Sequence, residues 1–224
     1  IRLRKKYLGL KQYHTYDRFL ELAHSNKEYT YEEAKELFFH SISQFPQDFQ
    51  DKAHEVLRDG FVDVMEKVGK RTGAYSSSVA NLHPFILLNF DHTLDSVFTV
   101  AHEAGHSIHS MYATQTQPTM LQDYTIFVAE IASTFNEHTL LDYFLSLPDA
   151  TKEEKIMVIQ KAIDEIMSTF YRQTLFAEYE YLANHEVAKG NPINHQVLSQ
   201  IMIDLYKKYY GLDITKEEVT QYVW

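Results

Sequence analysis

Thr99-Val100-Ala101-His102-Glu103-Ala104-Gly105-His106-Ser107-Ile108-His109 is the stretch on which the reading of this chain turns. Apolar residues at Val97, Phe98, Val100, Ala101, Ile108 and Met111 recur at helical spacing, which predicts a largely buried helix from Leu94 to Met111. An H-E-x-x-H pattern lies inside it. Residues four apart in a helix sit one turn above each other, so His102 and His106 can present both imidazoles to a single ion. Glu103 stands about 100° round the axis from His102, where it can reach a water held by that ion without binding the ion itself. The pattern therefore predicts His102 and His106 as metal ligands and Glu103 as a general base. Burying these groups is costly unless a metal or each other satisfies them. Gly105 inside such a helix costs about 1 kcal/mol relative to Ala, so it is expected where a neighbour approaches closely.

A catalytic zinc usually takes three protein ligands and leaves a fourth position for water, so a third ligand is required. The extended H-E-x-x-H-x-x-G-x-x-H pattern fails, since Tyr112 stands where its last His would be. Downstream, Phe127-Val128-Ala129-Glu130-Ile131-Ala132-Ser133-Thr134-Phe135-Asn136-Glu137 puts two carboxylates seven residues apart, on one face of an otherwise apolar helix. One of Glu130 and Glu137 can bind the metal while the other orients a ligating imidazole. His109 is assigned to packing or support of the site. His92, His138, His185 and His195 have no partner at metal spacing and are read as surface or capped residues.

Outward from this core the chain reads as mostly helical, with only seven Gly and five Pro in 224 residues. Thr30-Tyr31-Glu32-Glu33 has the form of a capping box opening a helix through Phe39. Further helices are predicted from Gln47 to Val68, Tyr124 to Leu145, Lys152 to Ala188 and Asn194 to Tyr210. Gly73-Ala74-Tyr75-Ser76-Ser77-Ser78 and Pro84-Phe85-Ile86-Leu87-Leu88-Asn89-Phe90 break the pattern and predict a short β-ribbon just before the H-E-x-x-H helix. The charges along Arg172 to Glu180 predict a salt-bridged helix face. No repeat or linker is visible, so one compact helical unit is expected.

The bulk properties narrow the function. A net charge of −10 disfavours nucleic acid, whose binding rests on Lys and Arg against phosphates. The sequence has no apolar run of the roughly 20 residues that a membrane span needs, and Ile1-Arg2-Leu3-Arg4-Lys5-Lys6 is too charged for the core of a signal peptide. Cysteine is absent, which excludes thiolate ligands and disulfides and suits a cytoplasmic protein. Sixteen Tyr and fourteen Phe are read chiefly as helix packing.

Taken together, Lys70-Arg71-Thr72-Gly73-Ala74-Tyr75-Ser76, Ile86-Leu87-Leu88-Asn89-Phe90, the H-E-x-G-H of His102 to His106, Phe127-Val128-Ala129-Glu130-Ile131-Ala132-Ser133 and Phe170-Tyr171-Arg172-Gln173-Thr174-Leu175-Phe176-Ala177-Glu178-Tyr179-Glu180 resemble the thimet oligopeptidase and oligoendopeptidase F family. The resemblance spans most of the chain. It implies a multi-helix, zincin-like metallopeptidase core with a deep channel, one zinc per chain on His102, His106 and Glu130, Glu103 activating water, and oligopeptide substrates. It further implies that residues 1–224 are a catalytic-core fragment, lacking a preceding helical lobe and a C-terminal segment that supplies oxyanion donors, so that the chain alone would be poorly active and prone to self-association. Cobalt or manganese could occupy the same ligands. A peptide-binding module with a structural or vestigial metal site is the alternative from another class.

Overall fold

The computed structural model describes residues 1–23, 26–79, 82–217 and 219–224. In chain order its helices are α1 (Arg2–Tyr7), α2 (Tyr31–Ser41), α3 (Gln47–Val56), α4 (Leu94–Thr116), α5 (Ile126–Ser146), α6 (Lys152–Glu165), α7 (Arg172–Ala188) and α8 (His195–Tyr210). The strands are β1 (Val62–Met65), β2 (Tyr75–Ser77) and β3 (Phe85–Phe90). The chain divides into two compact units, Ile1–His24 with Lys152–Trp224, and Ser25–Thr151. The expectation of a single unit missed this division, because the turn between α5 and α6 carries no linker composition to mark it.

The unit Ser25–Thr151 holds the H-E-x-x-H helix. Thr30 and Glu33 form the predicted reciprocal cap of α2, Thr30 Oγ1 accepting from the Glu33 N–H at 3.2 Å and Glu33 Oε2 from the Thr30 N–H at 2.7 Å. Helix α3 stops at Val56, well short of the predicted Val68. The left-handed Gly60, at φ +89°, closes the turn that follows, and Val62-Asp63-Val64-Met65 alternates inward and outward as strand β1. The sheet order is β1-β3-β2, with β1 parallel and β2 antiparallel to β3. Ile86, Leu88 and Phe90 of β3 are buried, as the period of 2 requires for a strand with one face in the core. Asn89 Nδ2 donates to the carbonyls of Arg71 at 2.9 Å and Gly73 at 2.8 Å, tying the approach to β2 against β3.

Helix α4 starts at a built N-terminus. Thr93 Oγ1 accepts from the Ser96 N–H, and Asp91 Oδ1 accepts from the Thr93 N–H and from the hydroxyls of Thr93 and Ser96. His92 makes the turn into it at φ +67°, fixed by bonds in both directions with the Tyr29 backbone. Val97, Phe98, Val100, Ala101, Ala104 and Ile108 are almost fully buried, and Phe98 stacks on Phe144 of α5. At Gly105 an added Cβ would lie 2.8 Å from the Ala132 carbonyl oxygen and 2.9 Å from Ser133 Cα, so α5 crosses α4 at the glycine itself.

In the other unit, Leu175 and Tyr179 of α7 pack with Met202, Leu205, Tyr206 and Ile214. The predicted single helix Lys152–Ala188 is interrupted by a π-helical stretch, Ile166–Tyr171, which the apolar spacing does not reveal. Glu178 pairs with Lys208 of α8 at 2.6 Å, so the charges of α7 serve a contact between helices as well as a solvated face.

Candidate metal centre

Two helices build the site. Helix α4 carries His102 and His106 one turn apart, with their Nε2 atoms 3.1 Å from each other. Helix α5 brings Glu130 to the same point, its Oε2 lying 3.6 Å from His102 Nε2 and 3.7 Å from His106 Nε2. Among the described residues these three form the only group of His, Cys, Asp and Glu side chains able to share an ion. The closeness depends on Gly105, which lies on α4 between the two histidines and lets Ala132 and Ser133, just past Glu130, come against it. Asn136, 1% exposed, donates from Nδ2 to the Ala101 carbonyl at 3.3 Å and ties the same crossing.

The donor set fits zinc. Tetrahedral zinc at about 2.0 to 2.2 Å from nitrogen and oxygen ligands requires ligand atoms about 3.3 to 3.5 Å apart, close to the triangle found here. Two imidazole nitrogens facing each other at 3.1 Å would otherwise share one proton at most, leaving the Glu130 carboxylate without a donor from either ring. Ser133 Oγ donates to Glu130 Oε2 at 2.9 Å and fixes that carboxylate. Glu137 Oε2 lies 3.4 Å from His102 Nδ1. That contact holds the ring with Nε2 turned to His106 and Glu130, so of the two carboxylates on α5, Glu130 enters the triangle and Glu137 supports it.

Electrostatics separate the groups. Burial presses the His102 pKa down, but Glu137 and then Glu103 and Glu130 outweigh it and raise it above the ordinary value. His106 is lowered, first by burial and then by its neighbour His102. Glu103, 5% exposed, is raised to about 7, chiefly by burial. Its Oε2 is buried without a hydrogen-bond partner, and the Ser76 N–H of β2 is turned to its carboxylate. A carboxylate so placed beside three converging donors can hold or release a proton near neutrality.

His109 does not join the triangle. Its ring stacks on Tyr124 at 3.9 Å, and the Tyr124 hydroxyl bonds Ser110 Oγ at 2.7 Å and reaches the His106 carbonyl at 3.4 Å. Ser76, Ser133, Asn136 and Tyr124 were not singled out from sequence. Of these only Ser133 carried a signal, standing three residues after Glu130 on the same helix.

A helical core with two histidines one turn apart, a glutamate from a crossing helix and a buried glutamate beside them has the arrangement of a metal centre of the H-E-x-x-H type. The description "Peptidase family M3" matches residues 1–223, and the chain belongs to that family. It is 38% identical to oligopeptidase PepF of Bacillus subtilis over 94% of this chain and 32% of that protein. It is 35% identical to the chromosomal oligoendopeptidase F of Lactococcus lactis subsp. cremoris over 100% of this chain and 37% of that one. The crystal structure of a protein from Chlamydophila abortus assigned as a peptidase superposes with a TM-score of 0.79 at 40% identity, over 94% of this chain and 35% of that one. The chain thus spans about a third of the length of the curated relatives it matches. No helix among the described residues is long and apolar enough to cross a membrane.

Proposed function

We propose that the protein is a zinc-dependent endopeptidase of short, unstructured oligopeptides, with His102, His106 and Glu130 as zinc ligands and Glu103 as general base. The observation that carries this is the convergence of the three ligand atoms beside a buried glutamate whose Oε2 has no hydrogen-bond partner. Bound zinc would polarise a peptide carbonyl and lower the pKa of water toward about 7. Glu103 accepts a proton from the attacking water and returns it to the amide nitrogen as the C–N bond breaks. Glu137 holds the His102 ring and Ser133 holds Glu130, so neither ligand has to be reoriented during turnover. Strand β2 is an edge of the sheet beside Glu103, and its free side can pair with an extended substrate backbone. The names of the relatives, oligopeptidase and oligoendopeptidase, support the same substrate class. The lack of cysteine supports a cytoplasmic setting. The exposed Phe127, Ile131 and Phe135 of α5 support self-association of the 224-residue chain when isolated.

The test is hydrolysis of an internally quenched peptide by the full-length protein. Activity lost to a chelator and restored by one equivalent of zinc is expected. Tight peptide binding without turnover in the zinc-loaded protein would favour a binding module instead.

A further inference from the structure

Glu103 and Ser107 stand four residues apart on α4 and so share a face, and β2 lies on that face. Ser107 is fully buried, at 0% exposure, and its Oγ is 2.8 Å from the Oγ of Ser76, the middle residue of β2. Tyr75 and Ser77 are exposed, and Ser76 is the residue of the strand that turns inward. The same Ser76 turns its backbone N–H to the Glu103 carboxylate, whose Oε2 has no partner. One residue therefore faces the base and bonds a buried hydroxyl one turn further along the helix.

A strand of three residues with a single neighbour, β3, has little of its own to fix its distance from the helix beneath. We propose that Ser107 is a positioning residue for the peptidase reaction: its hydroxyl pair with Ser76 pins the β2 edge to α4 and thereby sets the orientation of the Glu103 carboxylate. The proposal rests on the reading of Glu103 as general base. A serine pair suits the task because each hydroxyl can donate and accept, so the contact closes whichever of the two supplies the proton. It also ties the sheet edge offered to substrate and the base to one reference point.

The experiment compares full-length, zinc-loaded wild type with Ser107→Ala, Ser76→Ala, Ser76→Thr and the double alanine variant on a quenched peptide. Each alanine variant is expected to lower kcat by up to about 10²-fold, the cost of misplacing a reacting group by about 1 Å, with KM changed less and zinc stoichiometry intact. The double variant should fall no further than either single one, because the pair acts as a unit. Ser76→Thr keeps the hydroxyl on a residue that suits a strand and should lose less kcat than Ser76→Ala. Amide hydrogen exchange of residues 75–77, followed in the zinc-free protein, should be faster in Ser107→Ala than in wild type. Wild-type kcat in both alanine variants, losses that multiply in the double variant, or unchanged exchange would overturn the proposal. If Ser107→Ala does not fold, Ser76→Ala against Ser76→Thr decides, equal losses in the two overturning it. A zinc-loaded wild type that hydrolyses no peptide refutes the function proposed above instead, and the exchange measurement then still decides whether the pair holds β2.

Discussion

Gly105→Ala puts the smallest possible addition at the point where the metal centre is assembled. The new methyl group would sit 2.8 Å from the Ala132 carbonyl oxygen, 2.9 Å from Ser133 Cα and 3.0 Å from Asn136 Nδ2. The first two are backbone atoms of α5, so no side chain can swing away, and contact is roughly half an ångström short of ordinary van der Waals distance. Helix α5 must shift or α4 must bend. Overpacking of this kind costs about 1 to 3 kcal/mol, against which the better helix propensity of Ala returns about 1 kcal/mol. The net expectation is a loss of about 1 kcal/mol and a melting temperature lower by about 2 to 4 °C. The larger effect falls on the metal. Both histidines ride on α4 and Glu130 rides on α5, so a shift between the helices stretches one side of the ligand triangle and should weaken zinc about 10- to 100-fold, the scale seen when supporting groups of a site are disturbed. Competition with a chelator of known affinity measures it, with thermal unfolding of the metal-free protein alongside. A Gly105→Ala variant that melts higher and holds zinc as tightly as wild type would show that propensity wins and that the crossing is not close.

His102→Ala or His106→Ala should each abolish stoichiometric zinc, since each removes one of three ligands, and elemental analysis showing one tight zinc in both variants would refute the assignment. Glu130→Gln should weaken zinc more than Glu137→Gln, because the first loses a ligand and the second a support, so a chelator titration with the reverse order would exchange their roles. Asp91→Ala should lower thermal stability by removing the acceptor that three donors share ahead of α4. Burial raises the Asp91 pKa, but bonds from Ser96 and Thr93 more than offset this and leave it below the ordinary value. Its contribution is therefore complete above an ordinary aspartate pKa and lost as pH falls through the depressed one, so wild type and Asp91→Ala should converge in melting temperature only in strong acid.

The parts of the fold written in local spacing were legible. The apolar period from Val97 to Met111 placed α4, the Thr30 and Glu33 pair placed α2, and the run Phe85–Phe90 placed β3. What depends on contact across the chain was not. Strand β1 was read as the tail of a helix because four residues carry too short an alternation to outweigh the helical period before them, although Gly60 stood at the break. The interruption at Ile166–Tyr171 adds a residue to a turn without changing the chemistry of the side chains. Spacing alone could not choose between Glu130 and Glu137, which share a helix face; geometry separates them, since only Glu130 approaches both Nε2 atoms. Ser76 and Ser107 lie 31 residues apart, and nothing local predicts that their hydroxyls meet.

The central claim is that Glu103 moves the proton while His102, His106 and Glu130 hold the metal, and Glu103→Gln tests it most directly. Glutamine keeps the shape of the side chain and removes the base, and it leaves the three ligands in place. At equal zinc occupancy in the full-length protein, hydrolysis of a quenched peptide should fall about 10²- to 10⁴-fold while zinc affinity stays within a few-fold of wild type. Turnover by Glu103→Gln comparable to wild type at that occupancy would contradict the account.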